Sequence, residues 1–201
     1  PELFVKYGKQ YYFNPGLDET RQFLNKVVAD IVTRYDIDAV HFDDYFYPYR
    51  VPNEEFPDDK TFAEHPRGFK NKDDWRRNNV NLIIQELNST IKAIKPWVEF
   101  GISPFGVWRN ADKDVNGSAT QAGCTNYDDL YADVRLWLKE GWIDYVVPQL
   151  YWEIGKKVAD YEVLVDWWSK NSFGRNLYIG LSASNLGHGK IEAWRRPNEL
   201  C

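Results

Sequence analysis

Hydrophobic and polar positions alternate along the chain in two periods. Leu3-Phe4-Val5 and Gln10-Tyr11-Tyr12-Phe13 flank Gly8-Lys9 and predict a small hairpin ahead of an Asn14-Pro15-Gly16 turn. From Asp18 a helical period sets in, with Phe23, Leu24, Val27, Val28, Ile31 and Tyr35 on one face. A strand near 37–43 follows directly, and Pro48 closes it into an acid-rich polar loop from about 49 to 73. The period returns from Asp74 to Ile94, with Val80, Ile83, Ile84, Leu87, Ile91 and Ile94 as the buried stripe and Pro96 as the stop. A strand over 98–103 and a polar loop come next. A third helix, capped near Thr125 or Asn126, is expected to bury Tyr127, Leu130, Tyr131, Val134 and Leu138. Strand 144–151, a helix from Asp160 burying Tyr161, Leu164, Val165 and Trp168, and strand 177–182 complete the series. A loop through Gly187-His188-Gly189 then leads to Pro197-Asn198-Glu199-Leu200, which reads as the first turn of another helix.

Alternating strands and helices imply parallel pairing with right-handed crossovers. Loops after strands are long and chemically rich; those before strands are short, Asp36 alone before the first and Lys95-Pro96-Trp97 before the second. That asymmetry predicts a (β/α)8 TIM-barrel type of α/β fold, with the working groups at the carboxyl ends of the strands. A doubly wound sheet would share the alternation but would usually carry a Gly-rich phosphate turn, and none is present. Residues 1–201 supply about four barrel strands, roughly half a barrel, in one partial domain: hairpin and helix over 1–36, then strand–loop–helix units. The open edges of such a half are a route to self-association. The chain begins at Pro1 and has no Met, so it reads as an internal piece of a longer protein.

Strand parity sorts the side chains. With Asp43 aimed into the barrel mouth, Ala39 and His41 line the interior and Val40 and Phe42 face the helices. By the same count Gly101 and Ser103, then Val147, Gln149 and Tyr151, then Gly180 and Ser182 face inward. All four strands direct small or polar groups inward near their carboxyl ends.

Composition narrows the chemistry. A net charge of -5 argues against a nucleic-acid binder. No run of about 18 apolar residues exists to span a membrane. Aromatic residues make up 16% of the chain; such rings fill a core or, in polar loops, offer flat surfaces to sugar rings or bases. Cys124 and Cys201 are both expected to be free, and no His or Cys spacing resembles a zinc site. His41 is read as a satisfied interior residue, and His65 and His188 as surface groups. Loop acids Glu54, Glu55, Asp58 and Asp59 lack the EF-hand pattern and read as a solvated face. No cofactor and no metal is expected.

Three motifs carry a more specific signal: Phe42-Asp43-Asp44-Tyr45-Phe46-Tyr47-Pro48, the run from Gly101 to Asn110, and the run from Asp144 to Trp152. With Glu64-His65-Pro66-Arg67-Gly68-Phe69 and the Tyr11–Gly16 turn, they resemble the bacterial glycosyl-hydrolase-like family ten over nearly the whole chain. The resemblance implies a TIM barrel with further strands before Pro1 and after Cys201. It also implies export to the envelope, periplasm or cell surface, often as a lipoprotein, and a glycan substrate, peptidoglycan strands being favoured. Tyr47-Pro48 also resembles the end of the fourth strand in chitinase-like barrels. The glutamate acid of that pattern falls here on an aromatic residue, so its substrate-assisted mechanism does not carry over.

Glycoside hydrolysis commonly uses two carboxyls. Asp43 is the candidate nucleophile or base; Asp44, of opposite parity, reaches the site only through a twist at the strand end. The second carboxyl is sought in Asp44, Glu153, Asp112, Asp114 or an acid outside this chain. Arg109 has two open roles, holding an acid or substrate carboxylate or closing a loop salt bridge. Ser103, Asn110, Gln149 and Tyr151 are candidates for sugar hydroxyls, and Tyr45, Trp108 and Trp152 for sugar rings; Trp137, Trp167 and Trp168 read as packing. The rival readings are a carbohydrate-binding barrel without catalysis and a metal-dependent polysaccharide deacetylase, which chelators would silence.

Overall fold

The structure, a computed structural model, describes residues 3–187 and 192–195. Antiparallel strands β1 (Phe4–Tyr7) and β2 (Gln10–Phe13) form the expected hairpin. Then follow α1 (Asp18–Arg34), β3 (Ala39–Phe42), α2 (Asp59–Glu64), α3 (Lys72–Ile94), β4 (Glu99–Ile102), α4 (Val134–Glu140), β5 (Tyr145–Val146), α5 (Tyr161–Lys170) and β6 (Asn176–Leu177). The anticipated loop at 188–189, the helical turn at 197–200 and Cys201 lie outside the described residues.

Strands β3, β4, β5 and β6 lie side by side in that order, all parallel. Single bridges carry the pairing onward through Phe105, Gln149 and Gly180. The register produces two kinds of row. Phe42, Ile102, Val146 and Leu177 align on one face, and this face packs on the helices, with Phe100, Ile102 and Val146 fully buried. His41, Gly101, Tyr145 and Asn176 align on the other, where Ala39 and His41 are exposed. A sheet covered by helices on one face, with polar and aromatic groups on the other, is part of a TIM-type barrel rather than a doubly wound sheet.

The helices form where capping and periodicity agree. Asn71 caps α3, accepting from the backbone N–H groups of Asp73 (2.8 Å) and Asp74 (3.2 Å). Val80, Ile84, Leu87 and Ile91 then bury one stripe. Asp160 caps α5 in the same way. Two expectations need correction. In α1 the buried positions are Thr20, Val28 and Val32, while Phe23, Val27, Ile31 and Tyr35 stay 40–59% exposed. Its apolar stripe is wider than the flank that α3 covers. The helix expected from residue 125 begins only at Val134, capped by Asp133. Ahead of it, Asn126 spends its side-chain amide on the Phe105 and Val107 carbonyls, and Tyr131 adopts φ 54°, which no helix interior accommodates. Gly141, left-handed at φ 71°, ends α4.

Inside the loop after β3 lies α2, a helix of six residues that the polar composition concealed. A buried ion pair pins this loop. Arg76 of α3 grips Asp58 through Nε (2.9 Å) and Nη2 (2.7 Å), and also donates to the Tyr131 hydroxyl (2.9 Å) and the Phe56 carbonyl (3.2 Å). Lys72 reaches the same Asp58 carboxylate at 3.0 Å.

Candidate active site

Two residues beyond His41, on the same face, Asp43 emerges at the carboxyl end of β3 and is exposed. Its Oδ1 accepts from Gln149 Nε2 (2.7 Å), from the strand neighbouring β4, and from the Asp44 backbone N–H (2.8 Å). Gln149 Nε2 also donates to the Ser103 carbonyl (3.0 Å), and Ser103 Oγ donates to the Val147 carbonyl (2.9 Å). Asp43, Ser103 and Gln149 therefore converge from three strand ends into one network, as parity predicts. Tyr151 stands beside them, 45% exposed, its phenol pushed up by burial and then by the Asp43 and Asp44 charges. Tyr45 projects into solvent at 76% exposure.

Asp44 points the other way. Only 5% exposed, its carboxyl accepts on Oδ2 from the Tyr49 hydroxyl. Burial raises its pKa above the ordinary carboxylate value, the Tyr49 bond opposes this, and the Asp43 carboxyl adds to the rise. Adjacent acids thus occupy unlike environments: one open and held by two donors, the other buried and disposed to keep its proton. Below them His41 Nδ1 and the Tyr145 hydroxyl are bonded at 3.0 Å with their rings stacked, so His41 has its partner on the inner face of the sheet, although that face leaves it exposed in this chain.

Other anticipated side chains are engaged elsewhere. Trp108 is 4% exposed, donates to Asp133 Oδ1 (3.0 Å) and stacks on Trp167, so it offers no face to a sugar. Arg109 is taken by Asp128 in a two-pronged pair (3.0 and 2.8 Å), with Asp114 at 3.3 Å and the Tyr127 ring beneath, which is the salt-bridge role. Asn110 staples its own loop, bonding the Ala122 backbone on both sides (2.9 and 3.0 Å) and Thr120 (2.8 Å). Trp152 packs edge-on against Phe105 and over Gly106. Glu153 pairs with Lys156 (3.5 Å), outside the Asp43 network. Asp112 is exposed on a turn, and Asp114 is held low by the Asn116 backbone and by Arg109. The segment 105–133 folds on itself, and its polar residues serve that small core.

A cavity of about 330 Å³ lies between the hairpin, α1, α3 and the segment that ends β3, lined by groups such as Phe13, Leu24, Phe42, Tyr45, Phe46 and Ile83. The acid rim is open in this chain. Tyr49 was not singled out by the sequence; its only signal there is the density of rings between Tyr45 and Tyr49. Cys124, close enough to feel Asp129 and Asp44, has its thiol pushed up to about 12, chiefly by burial, which removes it as a thiolate nucleophile.

The family model described as glycosyl hydrolase-like 10 matches residues 3–194. Glycosyl hydrolase YngK of Bacillus subtilis (strain 168) is 52% identical over 202 residues, an alignment taking in 99% of this chain and 40% of that protein. Glycosyl hydrolase DigH of Escherichia coli (strain K12) is 42% identical over 188 residues, with 92% of this chain and 42% of that protein covered; DigH of Shigella flexneri matches equally. The chain therefore spans about two fifths of the length of these relatives. A parallel sheet that gathers an exposed aspartate, a serine and a glutamine at its carboxyl rim agrees with the match over nearly the whole chain, and the protein belongs to the glycosyl hydrolase-like 10 family.

Proposed function

We propose that the protein carrying this chain hydrolyses glycosidic bonds, with peptidoglycan glycan strands as the favoured substrate and the cell envelope or periplasm as its place of work. The observation that carries the reading is the Asp43–Gln149–Ser103 network at the strand ends. In a barrel this rim is where catalytic groups collect. Gln149 and the Asp44 N–H fix one oxygen of Asp43, and the exposed carboxylate acts as nucleophile or base on the anomeric carbon or its attacking water. Asp44, buried and turned from the rim, is not placed to reach the leaving oxygen, and an acid from the rest of the barrel is the source for protonating it. Tyr151 and Tyr45 offer a hydroxyl and an exposed ring to the sugar. The names of the relatives support a hydrolase acting on glycans.

The second reading is a barrel that binds glycans without cleaving them. It draws on the one exposed carboxylate in the network and on the exposed rings beside it. Asp43→Asn in the full-length protein separates the two. The amide still accepts from Gln149, so fold and glycan binding persist. Release of reducing ends should fall by about 10²–10⁴-fold, the contribution of a positioned acid or base. Undiminished release rejects Asp43, and glycan-dependent Trp fluorescence without reducing ends in the parent protein favours the binding barrel.

A further inference from the structure

Asp44 is a carboxyl without a cation. Among the described residues no lysine or arginine pairs with it, and the groups whose fields reach it are Asp43 on its own strand end, Tyr49 in the following loop, Cys124 in the loop after β4 and Tyr151 after β5. Of these, Tyr49 is the side chain that donates to it. The Tyr49 ring is itself seated, edge-on to Phe105 with centroids 6.3 Å apart, so the hydroxyl is delivered from a fixed platform. We propose that Tyr49 is a positioning residue for Asp44, its hydroxyl holding the buried carboxyl turned away from the open rim. The importance of this for turnover rests on the glycosidase reading; the effect on Asp44 does not.

The physical argument is a balance of two opposed effects. Burial and the neighbouring Asp43 favour the neutral acid, whereas a hydroxyl donated to Oδ2 favours the anion. Without the donor, a backbone N–H is what remains to oppose burial. Asp44 then keeps its proton to higher pH, and its carboxyl loses the contact that orients it. Asp43, whose Oδ1 is held by Gln149 and by a backbone N–H, keeps its place.

The test is a carbon-13 carboxyl titration of the full-length protein labelled at aspartate, with the Asp44 signal identified by its absence in Asp44→Asn. In Tyr49→Phe the Asp44 midpoint should rise by about one pH unit, the equivalent of one hydrogen bond to a carboxylate. Tyr45→Phe, which alters an exposed ring, should leave the midpoint unchanged. Substituting 3-fluorotyrosine at 49 keeps the ring's seat and strengthens the donor, so the midpoint should fall. A midpoint that stays put, or that moves the other way, in either Tyr49 variant overturns the proposal. A protein that cleaves nothing leaves the titration result standing on its own.

Discussion

Replacing Gly101 by alanine tests the inner face of the sheet at one point. A Cβ at this position falls 2.0–2.3 Å from three carbons of the Tyr145 ring. Carbon atoms settle at about 3.5–4.0 Å, so the ring must retreat by roughly 1.5 Å. That retreat breaks the 3.0 Å bond to His41 Nδ1 and the stack of the two rings. Overpacking of this size costs about 1–3 kcal/mol. Alanine offsets about 0.5–1 kcal/mol of that by ordering the unfolded chain, because Gly101 sits in a strand and has no positive φ to protect. The net loss should lie near 1 kcal/mol. Equilibrium urea unfolding of the full-length protein, followed by Trp fluorescence, reads it directly. With Tyr145→Ala already in place the space is open, and Gly101→Ala should become neutral or stabilising by up to about 1 kcal/mol. Equal destabilisation in both backgrounds would refute the reasoning, since the ring would then not be what glycine makes room for.

Three further outcomes follow from the same geometry. Asp58→Ala strips a buried carboxylate from Arg76 and Lys72 and should destabilise the protein by about 3–5 kcal/mol in urea; a loss below about 1 kcal/mol would mean that the pair is not held in solution. Asp44→Asn should raise the melting temperature at neutral pH. The folded pKa of Asp44 lies above its ordinary value of 3.8, so the wild type is unpenalised below that value and loses stability as pH rises through the folded pKa. The advantage of Asn should therefore vanish on acidification, and an advantage independent of pH would point to some other cause. Finally, the free edge of β3 and the exposed Phe23, Val27 and Ile31 of α1 suit a second copy of the 201-residue chain when it is produced alone. Val27→Asp with Ile31→Asp should shift it toward monomer in light scattering, and a chain already monomeric at high concentration would dismiss self-association.

Much of the fold was legible because it is written in short-range periods. Strand β3 with its inward Asp43, helix α3 with its stripe and the cap at Asp160 all follow from spacings of two or of three to four residues. What failed was decided at longer range. The 125–133 segment has helical spacing, but Asn126 bonds back to Phe105 and Val107 after β4, and Tyr131 turns left-handed to meet Arg76. The width of the α1 stripe says that apolar residues want cover, without saying which of them α3 reaches. Helix α2 depends on Asp58 being taken up by an arginine 18 residues further along, a pairing no local pattern encodes.

The site shows the same division in sharper form. Adjacent residues in a strand must point to opposite sides, so two identical aspartates could not share one environment, and the sequence alone sufficed to choose Asp43 for the open face. Their chemical difference is then a matter of partners. Asp43 finds Gln149, at the end of a strand whose inward parity was also readable. Asp44 finds Tyr49, in a loop without period, where any of several rings would have suited. Arg109 and Asn110 mislead for the converse reason. They follow a strand end, where sugar-binding groups belong, yet Asp128 at 2.8 Å and the Ala122 carbonyl at 2.9 Å already take their side chains. Position along a strand therefore predicts direction well and occupation poorly: a side chain aimed at the mouth of a barrel stays open only when its bonds leave part of it exposed, as they do for Asp43, held through Oδ1 yet exposed, and for Tyr151.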